Sequence, residues 1–159
     1  MAAESITCWM FYTGWEEYQR LLVDAVTPLT AAHVQHTIAS DLRSIGMLAT
    51  HIVRTRAAWL HSVLGEGGPE VAAIAAWDDL ADEAPSTDEL VRGLAVTFAA
   101  WKECLQRWTP QDLDKVFHNG PDEISRGWII WHVIEHDLHH GGELSYSLGA
   151  LGLAGLDLP

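Results

Sequence analysis

The stretch "RGWIIWHVIEHDLHHGGELSYSLGAL", Arg126–Leu151, decides the fold. With Ser125 in front of it, it reads as one long helix, on which Trp128, Ile129, Trp131, Val133 and Leu144 supply an apolar side. That side is interrupted by polar residues of one kind. From Trp131 to Leu144, fourteen residues hold four of the nine histidines of the chain and two glutamates. Part of this cluster must face the interior of whatever the helix packs into, and buried imidazoles there need partners. Gly141 and Gly142 each cost roughly 1 kcal/mol relative to alanine in a helix, which close backbone packing of another element can offset.

Three more segments carry the same periodicity. The first runs from Thr13 to Val26, with Trp15, Tyr18, Leu22 and Val26 on one stripe and Pro28 beyond its end. The second is expected to open near Ser40, with Asp41 in its first turn, and to continue to Gly65. Leu42, Ile45, Leu48, Ile52 and Trp59 form its expected buried side. The third begins with the capping-box pair Ser86 and Glu89, then steps through Val91, Leu94, Phe98, Trp101, Leu105 and Trp108. Thr109-Pro110 stops it and starts a short turn.

"GEGGPEVAAIAAWDDLADEAP", Gly65–Pro85, links the second and third segments and is long enough to run the length of a bundle. "VFHNGPDEIS", Val116–Ser125, reads as a loop turning at Asn119-Gly120. No internal repeat or alternating strand pattern is visible. The expected fold is all-α: one domain over residues 1–159, a four-helix bundle with a long crossover between helices two and three.

Composition narrows the function classes. Nine basic residues against 22 acidic ones give a net charge of −13, a field that repels phosphate backbones and anionic membrane surfaces. Neither nucleic acid nor a membrane is an expected partner. Cys8 and Cys104 lie far apart in no C-x-x-C arrangement, and read as reduced thiols of a cytoplasmic protein. "MAAESITCWMFYTG" lacks the basic and apolar regions of a signal peptide, and no run approaches the ~20 apolar residues of a membrane span. Eight tryptophans point to an aromatic-rich core.

At ~100° and ~1.5 Å per residue, His132, His136 and His140 lie within about 80° of arc on one side of the last helix. His136 and His140 are four apart and can converge on one ion, as can His132 and His136. His132 and His140 are ~12 Å apart along the axis and cannot. A catalytic zinc-type site wants three protein ligands and an open position, so a third ligand should come from a facing helix. His51, between the apolar Leu48 and Ile52, is the candidate; His33, His36, His61 and His118 fall in connections, loops or a helix end. The spacing is not H-E-x-x-H, and no G-x-S-x-G, phosphate-binding or dinucleotide-binding motif occurs.

"HIVRTRAAWL" in the second segment and "HVIEHDLHHGGEL" in the fourth resemble the two signatures of the DinB-like superfamily, and the likeness covers most of the chain. The resemblance implies a bundle with a long crossover, often dimeric. It also implies a divalent metal, Ni or Zn first and Fe or Mn next, on His51, His136 and His140. His139 would then point outward, and His132 would sit one turn below the metal. Gly141 stands where the family often has Arg, and Glu143 where Gln is common; both are expected near the site.

The resemblance also implies a metal-dependent enzyme, a thiol-dependent S-transferase ahead of a hydrolase, with a small-molecule substrate and a low-molecular-weight thiol. Glu143 is the candidate for orienting a ligand or shuttling a proton. The alternative is a non-catalytic, stress-associated homodimer that binds metal or a small molecule. Facing histidines in a bundle also admit haem.

Overall fold

The computed structural model describes residues 6–158, so both ends of the expected 1–159 domain lie outside the described residues. In chain order the elements are α1 (Trp9–Tyr12), α2 (Gly14–Val26), α3 (Ala31–Gln35), α4 (Ile45–Ala58), α5 (Gly68–Ala75), α6 (Thr87–Arg107), β1 (Val116–Asn119), β2 (Asp122–Ser125) and α7 (Arg126–Ala150). The four long helices α2, α4, α6 and α7 are the four periodic segments. α4 lies at the centre, packing on α7, α6 and α5, while α2 closes the bundle against α6 and α7. Between them lies a continuous core that includes Trp15, Leu22, Ile52, Leu94, Trp101, Ile129, Val133 and Leu144. No described helix is long and apolar enough to cross a membrane.

The helix starts follow side-chain chemistry. The Ser86 hydroxyl accepts the Glu89 N–H while the Glu89 carboxylate accepts the Ser86 N–H, closing the expected capping box. Ser125 caps α7 through the Trp128 N–H. The second segment departs from expectation. Its cap is Ser44, whose hydroxyl accepts the Met47 N–H, and residues 40–44 form an irregular approach to α4. Leu42 therefore lies outside the helix and is 52% exposed. Both serines satisfy the local rule; the chain starts the helix where Ile45 and Leu48 can be buried. α4 ends in a π-turn at Trp59–Val63, and Gly65, with φ 72°, reverses the chain.

The all-α expectation also needs correction at Val116–Ser125, which forms an antiparallel hairpin rather than an unstructured loop. The expected turn is there: Asn119 pairs with Asp122 across Gly120, whose φ of 59° suits glycine. Each strand has only four residues, too few for a two-residue alternation to stand out. Paired Phe117 and Ile124 pack against the core and hold the hairpin down.

The crossover after α4 contains the short α5, then an irregular run back across α4. The Arg54 Nε donates to the Trp77 carbonyl at 3.1 Å, fixing that return. This places Asp79 opposite the middle of α4, where His51 lies.

Candidate metal centre

Three imidazoles meet where α4 crosses α7. His51 comes from the middle of α4, while His136 and His140 are one turn apart on α7. The ring centroids are 4.7 Å apart for His51–His136, 4.6 Å for His51–His140 and 4.3 Å for His136–His140. One nitrogen from each ring lies within 4.8 Å of the other two. His51 Nε2 and His136 Nε2 are 3.0 Å apart, a separation compatible with two nitrogens each ~2.0–2.1 Å from a common ion. The donor set suits a borderline-soft divalent metal.

Carboxylates brace two of the three rings. Asp79 Oδ2 lies 2.6 Å from His51 Nδ1, and Glu143 Oε2 lies 2.6 Å from His140 Nδ1. Each carboxylate favours the proton on Nδ1 and so leaves the Nε2 lone pair free for a ligand. Burial of Asp79 opposes its ionisation, but the His51 ring and the Arg54 guanidinium outweigh burial and hold its carboxyl below the ordinary range. Burial pushes His51 down against the pull of Asp79, and the positive charge of Arg43 adds to the depression. His136 is pushed down to about 3, first by burial and then by the neighbouring histidines. Its Nδ1 is buried with no hydrogen-bond partner among the described residues. The His136 ring is therefore neutral at physiological pH, the form a metal requires.

The family model described as DinB matches residues 3–157. The chain belongs to the DinB family. A crystal structure of a DinB-like protein from Bacillus cereus superposes with a TM-score of 0.77 at 22% identity, covering 96% of this chain and 98% of that one. At that identity the likeness shows the fold alone. No curated protein sequence matches.

In this DinB chain the remaining histidines separate from the trio. His132 stacks on Trp128, centroids 4.8 Å apart and planes 10° from parallel, and meets the edge of Trp59 at 5.0 Å. It belongs to an aromatic wall beside His136 rather than to the cluster. His139 is exposed, 3.6 Å from Glu143 Oε1. His139, His140 and Glu143 also lie close enough to share an ion, but two of these three are exposed. His33 caps α3 through the backbone of Thr30, and His118 sits on β1.

The two positions that depart from the family pattern behave differently. Glu143 braces His140 at 2.6 Å. Gly141 turns away from the trio: a Cβ there would overlap the Tyr18 hydroxyl of α2. The departure at Gly141 concerns helix packing, and of the two adjacent glycines it is Gly142 that has open space beside it.

Three residues escaped the sequence reading. Asp79 sits in an acidic linker where nothing distinguishes it from Asp78, Asp82 or Glu83. Arg56 and Asp137 were more legible, because both interrupt buried stripes, four residues after Ile52 and Val133 respectively. They form a fully buried ion pair joining α4 to α7, with Arg56 Nη2 2.6 Å from Asp137 Oδ2. Arg56 Nη1 also donates to Gln19 Oε1 at 2.6 Å, and Trp15 Nε1 donates to Asp137 Oδ2 at 2.7 Å. The Tyr18 hydroxyl donates to the Asp137 carbonyl at 3.2 Å. Burial pushes the Asp137 carboxyl up, and the guanidinium pulls it back. Because Asp137 follows His136 directly, this network fixes the register in which α7 presents its histidines to His51.

Proposed function

We propose that this chain is a metal-dependent enzyme in which His51, His136 and His140 hold a divalent ion, Ni or Zn first and Fe or Mn next. The observation that carries the reading is the convergence of three imidazoles, two of them braced by carboxylates. An ion bound to three neutral imidazoles keeps its full charge, and lowers the pKa of a bound thiol or water. The residues of the chain prepare this chemistry. Asp79 and Glu143 hold protons at His51 Nδ1 and His140 Nδ1, and burial keeps His136 unprotonated.

A thiol-dependent S-transferase is placed ahead of a hydrolase on the family resemblance, and the chain's own thiols bear on where its nucleophile would come from. Cys8 and Cys104 are buried, and burial pushes the Cys104 thiol up to about 11. Neither supplies a thiolate at neutral pH, so a thiol nucleophile would have to be an external low-molecular-weight thiol. The assembly we propose is a homodimer, supported by Trp131 and Leu138, exposed apolar residues seven apart on α7. Elemental analysis of protein purified without chelators or an affinity tag, followed by a thiol-conjugation screen, tests the reading. Metal-loaded protein that consumes thiol only with an electrophilic acceptor supports it. Absence of metal would favour a non-catalytic binding dimer.

A further inference from the structure

A cavity of about 680 Å³ lies beside the metal centre, within the size range of small-molecule sites. Its apolar wall comes from three separate parts of the chain: Ile38 and Leu42 before α4 with Leu48 within it, Leu80 on the crossover, and Tyr146 on α7. Leu42, Leu80 and Tyr146 are otherwise unexplained exposed apolar side chains, and they converge on this one space. The cavity adjoins the centre because Glu143, bonded to His140, also lines it. Leu80 follows Asp79, the brace of His51.

One cation faces the cavity. Arg43 lines it, while the other six arginines of the chain each have a carboxylate within 4.0 Å. With 22 acidic residues in the chain, an arginine with no carboxylate within 4.0 Å among the described residues is unusual. The acidic groups on the same wall are Asp41 and Glu143, and the Glu143 carboxylate is engaged by His140. A guanidinium at the edge of an apolar cavity recognises a carboxylate or sulfonate through charge-assisted hydrogen bonds.

We propose that this cavity is the acceptor-substrate subsite, taking a small molecule with an apolar body and one anionic group held by Arg43. The assignment as an acceptor subsite rests on the metal-centre reading above; the ligand chemistry does not.

The test uses three probes with one apolar body: phenylbutyrate, phenylbutyramide and phenylbutylamine. Each is titrated calorimetrically into the full-length protein, once loaded with zinc and once treated with chelator. The carboxylate should bind about tenfold tighter than the amide, the worth of one charge-assisted hydrogen bond, in both states. Arg43→Gln, an exposed change that breaks no ion pair among the described residues, should bring carboxylate and amide to equal affinity. Gly142→Leu narrows the cavity from a position with nothing within 4 Å of the new Cβ, and should weaken all three probes.

Equal binding of all probes, tightest binding of the amine, or no effect of Gly142→Leu overturns the proposal. So does a carboxylate preference that survives Arg43→Gln but disappears with the chelator, since the metal would then be reading the anion. A preference that needs Arg43 in protein unable to take up zinc supports the cavity's ligand chemistry and refutes the metal centre. Sedimentation of the same samples covers the remaining occupant: a dimer dissociated by the probes would place a second copy in the cavity and overturn the proposal.

Discussion

Arg56 and Asp137 give the sharpest energetic prediction, because both side chains are fully buried and each supplies most of the other's polar partners. Arg56→Met leaves the carboxylate facing one indole N–H in an apolar interior. Asp137→Leu leaves the guanidinium with Gln19 and the Leu94 carbonyl. Removing one partner of a buried pair costs about 3–5 kcal/mol, so each single variant should lose that much. In a protein of this size that is a drop in Tm of roughly 6–20 °C. The double variant removes both charges and leaves only neutral groups short of partners, Trp15 Nε1 and Gln19 Oε1. Unpaired neutral groups cost about 1–3 kcal/mol each, about 2–6 kcal/mol for the two, so the double variant should lose less than the roughly 6–10 kcal/mol sum of the single losses. Urea unfolding at neutral pH with chelator present, run as a double-mutant cycle, measures the coupling. Additive losses, or a single-variant cost below about 1 kcal/mol, would refute the ion pair as the register lock between α4 and α7.

The braces should show themselves in metal affinity. Asp79→Asn and Glu143→Gln are each expected to weaken metal binding about 10- to 100-fold, read by competition with a chromogenic chelator. Asp79→Asn should have the larger effect, since the Asp79 side chain is 14% exposed against 47% for Glu143. The thiols should be inert in the folded protein: with Cys104 at about 11, a disulfide reagent at pH 8 should label neither cysteine until denaturant is added. Ready labelling of the native state would contradict the burial. The adjacent glycines of α7 should respond oppositely to alanine in thermal unfolding. Gly142→Ala gains up to about 1 kcal/mol of helix propensity, whereas Gly141→Ala loses stability by pushing against Tyr18.

Helix periodicity, proline stops and the Ser86–Glu89 box carried the four long helices, because each rests on contacts within a few residues. The start of α4 was misplaced because Ser40 and Ser44 offer the same local signal, and only burial of Ile45 chooses between them. The hairpin went unread because its stability comes from Phe117 and Ile124 meeting the core, a contact its short strands do not announce. At the centre, spacing alone left His132–His136 and His136–His140 equally open as chelating pairs. The position of His51 in three dimensions separates them, within 4.7 Å of His136 and His140 while His132 stacks on tryptophan. Asp79 reaches His51 across 28 residues through a chain reversal, which no local pattern encodes.

Metal content of single-histidine variants tests the three-histidine centre directly. Full-length protein and its His51→Ala, His136→Ala, His140→Ala and His139→Ala variants would be purified without chelators or an affinity tag and analysed by mass spectrometry for bound elements. One equivalent of a divalent metal is expected in the parent and in His139→Ala, and loss of it in the other three. Stoichiometric metal retained by folded His136→Ala would contradict that expectation.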